Sequence, residues 1–271
     1  MDMTHGFPKA AGADPLGQIA RRLGAWGAEI ARRHALAFEP SPPGAGGPRL
    51  PRMLAELRTP YENWLAQRAH DRRLPAPVRS RPVMLLPGFG THPARMKAHA
   101  RALQAAGHRV SDWGLGFNFG PTGDRFERLC QRVVTMARRE GEPLVLVGWS
   151  LGGIFAREVA RRHPDAVALV ITMGTPFSGN RRANNAWRAY QLIAGHSVDD
   201  PPVGREMSVK PPVPTVALWS PRDGIVAPRS SCGRTGERDR AIALRCTHIG
   251  FAGHPQAVAT VAALVADPGH A

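Results

Sequence analysis

The chain is poor in cysteine and poorer still in lysine. Three cysteines in 271 residues, Cys130, Cys232 and Cys246, are too few for a disulfide framework, which excludes the small stapled folds. Whether Cys232 and Cys246 pair is left open by the sequence. Cys130 falls inside a helical pattern and reads as buried and inert. No apolar run approaches the roughly 20 residues needed to span a bilayer. No charged start followed by an apolar stretch marks a secretory signal, so a cytoplasmic protein is expected. No histidine, cysteine or acidic cluster has metal-ligand spacing, so neither metal nor cofactor is expected. No internal repeat is present. Lysine is nearly absent, with 3 Lys against 33 Arg, and this imbalance shapes the reading of a net charge of +15. The arginines are scattered and not interleaved with aromatics, as a GC-rich coding bias produces. A nucleic-acid partner is therefore not expected; attraction to anionic lipid or acidic substrates is the better use of the charge.

What the chain does have is concentrated at residues 144 to 153, Leu-Val-Leu-Val-Gly-Trp-Ser-Leu-Gly-Gly. Four apolar residues run into Gly148-Trp149-Ser150-Leu151-Gly152, the G-x-S-x-G pattern between a buried strand and a helix. The chain must reverse within a few residues there, so Ser150 is expected on a strained turn. Gly148 and Gly152 lack a Cβ, which lets strand and helix approach.

A serine hydroxyl is a poor nucleophile without a base and an acid to orient it. On such a sheet the chain order is Ser, then Asp or Glu, then His, each after a later strand. Asp223 follows the strand-like run 214–220 in an Asp-Gly turn. His248 follows the apolar run 241–246. These give the candidate triad Ser150, Asp223 and His248. His254 is the competing base, but it precedes Pro255 and reads as the start of the last helix. Upstream, the run 81–86 leads into Pro87-Gly88-Phe89-Gly90. The backbone N–H groups of Phe89 and Leu151 are the candidate oxyanion donors. The aromatic residues Trp113, Phe117, Trp149, Phe177 and Phe251 fall in strand-end or motif segments, as an apolar acyl pocket or as core.

These motifs resemble the α/β-hydrolase superfamily, of the bacterial lipase and esterase type. The matching pieces are Leu85-Leu-Pro-Gly-Phe89, Trp113-Gly-Leu-Gly-Phe-Asn118, Val147-Gly-Trp-Ser-Leu-Gly-Gly153, Met173-Gly-Thr-Pro-Phe177, Asp223-Gly-Ile-Val226 and His248-Ile-Gly-Phe251. They span residues 82–266. In that resemblance the histidine before x-Gly is the catalytic one, which again selects His248. The resemblance implies a serine hydrolase of small-molecule or lipid carboxylic esters acting through an acyl-enzyme. There is one departure. Many relatives carry His-Gly where this chain has Pro87-Gly88, which keeps the backbone donor and loses any bond from a histidine ring. An acyltransferase or a thioesterase fits the same triad. A non-catalytic binding module of the same fold is the alternative from another class.

The rest of the chain bounds the architecture. A hydrophobic content of 43% over this length supports one sizeable core. Strands are expected near 82–87, 109–113, 143–148, 166–173, 214–220 and 241–246. Helices are expected near 93–106, 123–140, 151–163 and 255–266. This alternation predicts an α/β fold with a mostly parallel sheet of about six strands covered on both faces, without the antiparallel first strands of larger members. Residues 81–271 form the expected catalytic domain. Within it, 178–214 is either a small flap over the site or a plain crossover, with a helix over 184–193. Residues 1–80 read as an N-terminal helical extension with a Pro/Gly-rich linker at 40–48. Leu16, Ile19, Leu23, Trp26 and Ile30 recur at helical spacing, flanked by Arg21, Arg22, Arg32 and Arg33. Docking of this stripe on the core is the first expectation; a basic amphipathic helix lying on an anionic membrane is the second. Thr59-Pro-Tyr-Glu62 resembles a capping box opening a helix to about Arg72.

Overall fold

Successive residues of a strand point to opposite faces of a sheet, and here both sets are largely buried in the four central strands. In a computed structural model of the chain, which describes residues 15–69 and 79–267, six strands form one sheet. They are β1 (Pro82–Leu86), β2 (Arg109–Asp112), β3 (Leu144–Trp149), β4 (Val167–Met173), β5 (Thr215–Trp219) and β6 (Arg240–Ala243). Their order is β2-β1-β3-β4-β5-β6, and every pairing is parallel.

Val83, Leu85, Val145 and Val147 join a core on one face with Met96, Leu103 and Val261. Met84, Leu86, Leu144 and Leu146 join a core on the other with Phe126, Leu129, Phe155 and Val159. The elements that supply these partners on the first face are the 3-10 turn Pro93–Met96, α4 (Lys97–Ala105) and α9 (Pro255–Ala266). On the second they are α5 (Arg125–Glu140) and α6 (Leu151–Arg162). A parallel sheet needs this double cover because both its faces are apolar. All six expected strands and the four expected helices fall where the sequence pattern places them. The run 93–106 opens as a 3-10 turn, Pro93–Met96, before α4. No antiparallel strand joins the sheet among the described residues.

Between β4 and β5 the chain forms α7 (Trp187–Ala194). A short helix, α8 (Pro228–Cys232), follows the Asp223 turn. The N-terminal segment forms α1 (Pro15–Ala37), α2 (Leu50–Ala55), a 3-10 turn Glu56–Arg58, and α3 (Thr59–Ala69). It attaches through polar contacts. Arg32 and Arg33 donate to the carbonyls of Gly195 (2.8 Å) and Ile193 (2.7 Å) at the C-terminal end of α7, where a helix dipole favours cations. Arg182 reaches Glu39 (2.6 Å) and the Pro40 carbonyl (3.0 Å). Asn185 donates to the Pro48 carbonyl at 3.0 Å. The Pro/Gly-rich stretch 40–48 is thus tied to the segment after β4.

Two expectations for this segment need correction. The apolar stripe of α1 does not dock on the core: Ile19, Leu23, Trp26 and Ile30 are all exposed, Trp26 by 72%. The cause is that only the end of α1 meets the body, through Arg32 and Arg33 and through its last carbonyls, which accept from Gln191 and Arg188; the side chain of Leu16 lies outside the described residues. The capping box at Thr59 is not formed. Thr59 is helical and continuous with the preceding 3-10 turn, so its hydroxyl donates back to the Glu56 carbonyl (2.6 Å) and meets Thr247 Oγ1 (2.6 Å). α3 is described over Thr59–Ala69, and the expected extension to Arg72 lies outside the described residues. All three cysteines are free, and burial pushes the Cys130 thiol up to about 11.

Candidate active site

The two glycines of the G-x-S-x-G turn are there because no side chain fits. A Cβ on Gly148 would lie 2.5 Å from the backbone of Gly152 and Gly153, and one on Gly152 would lie 2.3 Å from the Leu86 carbonyl oxygen. Strand β3 and helix α6 therefore meet backbone to backbone. Between them Ser150 takes φ 53° and ψ −120°, the only non-glycine positive φ among the described residues. Such a conformation costs on the order of 1–3 kcal/mol and persists where the surroundings over-determine it. The Ser150 amide is pinned by a hydrogen bond to the Met173 carbonyl at 2.8 Å.

Asp223 and His248 come from the ends of neighbouring strands. The loop after β5 carries Asp223, fully buried, and the loop after β6 carries His248. Asp223 Oδ1 accepts from the amides of Ile225 (2.9 Å) and Val226 (2.7 Å). That leaves Oδ2 facing His248 Nδ1 at 2.8 Å. Burial of the ring acts to lower its proton affinity; the charge of Asp223, its hydrogen bond and the charge of Glu56 outweigh this, so the His248 pKa is raised above the ordinary histidine value. Among the described residues the Ser150 hydroxyl has no hydrogen-bond partner, His248 included. Such contacts are often open in unliganded sites and close on substrate. His254 instead caps α9, accepting from the Gln256 amide at 3.2 Å.

The turn after β1 lies beside the serine: a Cβ on Gly88 would meet Ser150 Cβ at 3.4 Å. The amides of Phe89 and Leu151 have no acceptor among the described residues. Buried Asn118 braces this turn. Its side-chain amide donates to the Pro87 carbonyl (2.7 Å), its own carbonyl accepts from the Gly90 amide (2.7 Å), and its amide donates to Thr91 (3.0 Å). A bracing role of this kind has no signal in a single sequence. His99 does similar work behind the base. Burial pulls its ring down to about 4, so it stays neutral, with Nε2 2.8 Å from the Phe251 carbonyl.

A cavity of about 90 Å³ opens at Ser150. None of the five aromatic pocket candidates lines it. Trp113 is buried in the core against Phe155. Phe117 is 51% exposed and stacks on Phe119. Trp149 packs behind the site, its indole N–H donating to the His248 carbonyl at 3.1 Å. Phe177 lies buried under the Arg157 guanidinium, 4.2 Å from its ring centre. Phe251 meets the His248 ring edge-on from the core side. The walls come instead from the segment between β4 and β5, including Arg181, Trp187, Tyr190, Val203 and Met207, with Phe89 and Leu151. Residues 178–214 thus cover the site and are more than a crossover. The segment is latched to the acid loop by the Asn185 amide on the Ile225 carbonyl (2.7 Å). Among the described residues no group of three or more histidines, cysteines or carboxylates is placed to hold a metal.

An all-parallel sheet with a strained serine between strand and helix, and an Asp–His pair after later strands, defines the α/β-hydrolase superfamily. The model of the serine aminopeptidase, S33 family matches residues 79–232, more than half of the chain. The chain belongs to that family. It is 32% identical over 111 residues to a pimeloyl-[acyl-carrier protein] methyl ester esterase of Vibrio parahaemolyticus; that stretch is 40% of this chain and 42% of the relative, so the match spans about two fifths of its length. Among solved structures, the pyrethroid hydrolase PytH superposes with a TM-score of 0.51 at 16% identity, over 71% of this chain and all of that one. An aryl esterase from Burkholderia cenocepacia, itself described as putative, reaches 0.49 at 14% identity, over 69% and 90%. At 16% identity the likeness to PytH speaks to fold alone.

Proposed function

We propose that the protein is a carboxylic-ester hydrolase, with Ser150 as nucleophile, His248 as general base and acid, and Asp223 as the orienting carboxylate. His248 Nε2 takes the proton of Ser150 as Oγ attacks the ester carbonyl. The amides of Phe89 and Leu151 receive the oxyanion. Collapse expels the alcohol, protonated by His248, and leaves an acyl-enzyme that water, activated by the same imidazole, hydrolyses. Asp223 holds Nδ1 protonated and stabilises the imidazolium.

One observation selects esters over peptides with a free amino terminus. The cavity at Ser150 is apolar, and among the described residues its only charged lining residue is the cation Arg181. A substrate ammonium would have no carboxylate to meet there, and burying an unpaired charge is costly. A neutral or anionic acyl group meets no such penalty. The named activity of the Vibrio relative, a methyl ester esterase, points the same way.

The test is fluorophosphonate labelling of wild type, Ser150→Ala and His248→Ala, beside turnover of p-nitrophenyl esters of graded length. Labelling and turnover in wild type, lost in both variants, are expected. Folded wild type that takes no label overturns the reading. Added acceptor alcohols separate hydrolysis from acyl transfer: hydrolysis leaves the acid as the product.

The exposed stripe of α1 suits an anionic lipid surface. Ile19, Leu23, Trp26 and Ile30 are uncovered, and Arg21 and Arg22 are exposed beside them. Sedimentation of the full chain with anionic vesicles should fall on Trp26→Ser and with rising salt. Equal sedimentation with neutral vesicles overturns the lipid reading.

A further inference from the structure

The N-terminal segment reaches the site at one residue. Glu56, in the 3-10 turn between α2 and α3, is only 4% exposed. Its Oε1 accepts from the Gly224 amide and the His248 amide, both at 2.8 Å. Its Oε2 accepts from the Ile249 amide at 2.9 Å. Gly224 follows Asp223 in the chain. A single carboxylate therefore joins the loop that carries the acid to the loop that carries the base. No cation pairs with it among the described residues; three backbone N–H groups hold it. Contact there is close: a Cβ on Gly224 would stand 2.2 Å from the Arg52 carbonyl oxygen and 3.0 Å from Glu56 Cγ. Thr59, three residues on, adds the buried hydroxyl contact to Thr247, the residue before His248.

We propose that Glu56 is a positioning residue, supplied by the N-terminal segment, that holds the Asp223 and His248 loops at the spacing the triad requires; the proposal rests on the triad reading above.

Chemistry explains why a carboxylate stands here. All three groups facing it are donors, and only an ionised carboxyl presents acceptors at both oxygens. Glutamine would turn an N–H₂ toward at least one backbone N–H and leave that donor unpaired. A buried unpaired donor is costly, and moving one loop off the other relieves that cost. The imidazole would move with its loop. A misplacement on the order of 1 Å costs about 10²-fold in rate.

The charge has a second effect. The groups facing His248 are Asp223 and Glu56 as carboxylates, Trp149 and Phe251 as rings, and the neighbouring Thr247 hydroxyl. Glu62 on α3 and the Cys246 thiol complete the surroundings of its loop, and burial pushes that thiol up, so it is neutral. Glu56 adds to Asp223 in favouring the imidazolium. Removing its charge lowers the His248 pKa, so the acid limb of the rate profile moves to lower pH.

The experiment compares full-length wild type, Glu56→Gln and Glu56→Asp. The rate per active site is read with the labelled fraction titrated by fluorophosphonate, and the His248 titration is followed by NMR. Glu56→Gln is expected to lose about 10²-fold in kcat per labelled site, with KM nearly unchanged and a lower His248 pKa. Glu56→Asp keeps the charge, so it should retain the wild-type acid limb with an intermediate kcat. Wild-type kcat per labelled site in both variants overturns the proposal, because a merely structural residue changes how much enzyme is folded and not how fast each site turns over. If Glu56→Gln does not fold, Glu56→Asp alone decides by the same criterion. Failure of the triad reading looks different: Ser150→Ala would then stay active, whatever Glu56 does. In that case an unchanged His248 titration in the Glu56 variants overturns the positioning role as well.

Discussion

Two regions of this molecule treat the same residue types in opposite ways. Between β1 and α9, leucines and valines of the four central strands are sealed; Leu86, Leu144 and Leu146 have no exposure at all. In the N-terminal segment Leu23, Leu54, Leu57 and Leu65 are open, Leu57 by 79%. The first region is held by burial. The second is held by directed polar contacts: Arg32 and Arg33 on the end of α7, Arg182 on Glu39, Glu56 on three amides and Thr59 on Thr247. Apolar periodicity thus reports that a helix has two faces, and leaves unsaid what the apolar face meets.

That contrast can be tested from its strongest consequence downward. Ser150→Ala, at the turn the buried region builds, should cut kcat/KM for p-nitrophenyl esters by at least about 10⁴-fold while leaving the melting curve near wild type. Residual turnover above that level would take the chemistry away from this turn. Leu146→Ala opens a hole in the sealed core and should cost about 2–5 kcal/mol in denaturant unfolding; a cost below 1 kcal/mol would mean the core is looser than its burial implies.

The acid–base pair gives the next effect. On the proposed mechanism His248 must be neutral to accept the Ser150 proton, so activity should fall about tenfold per pH unit below its raised folded pKa. Stability runs the other way. The folded state holds the proton more tightly than the unfolded chain, so this contribution is full below the ordinary value near 6.5 and is lost as pH rises through the folded value. Parallel rate and melting profiles over that window should therefore diverge; rate and stability rising together there would contradict the assigned direction. Smallest of all, Leu57→Ser on the open region should change unfolding free energy by no more than about 0.5 kcal/mol. A larger loss would show that something covers that surface.

Much of the geometry of the candidate site could be read from the chain because short-range signals suffice there. Four apolar residues before Gly148 mark β3, and the reversal at Ser150 leaves room for nothing but glycine two residues to either side, at 148 and 152. Asp223 and His248 were legible by their positions after strand-like runs. The pocket was not legible. Aromatic residues beside motifs were expected to line it, yet strand-end aromatics such as Trp149 and Phe251 pack behind the catalytic loops, while α7 and its flanks supply Trp187 and Tyr190. Which side of a loop faces the cavity depends on how the covering segment folds back, and no local pattern encodes that. Glu56 was hidden for a related reason: a lone glutamate in a short turn looks solvated until the amides it accepts are brought to it from the far end of the chain.

That distance has a kinetic side. Glu56 and the His248 amide are separated by 192 residues, and a loop of that length closes only after the intervening sheet has drawn its ends together. The nucleophile turn, by contrast, is local to β3 and α6. In refolding, far-UV ellipticity should therefore recover first, and ester turnover should lag behind it until the two ends of the chain have met.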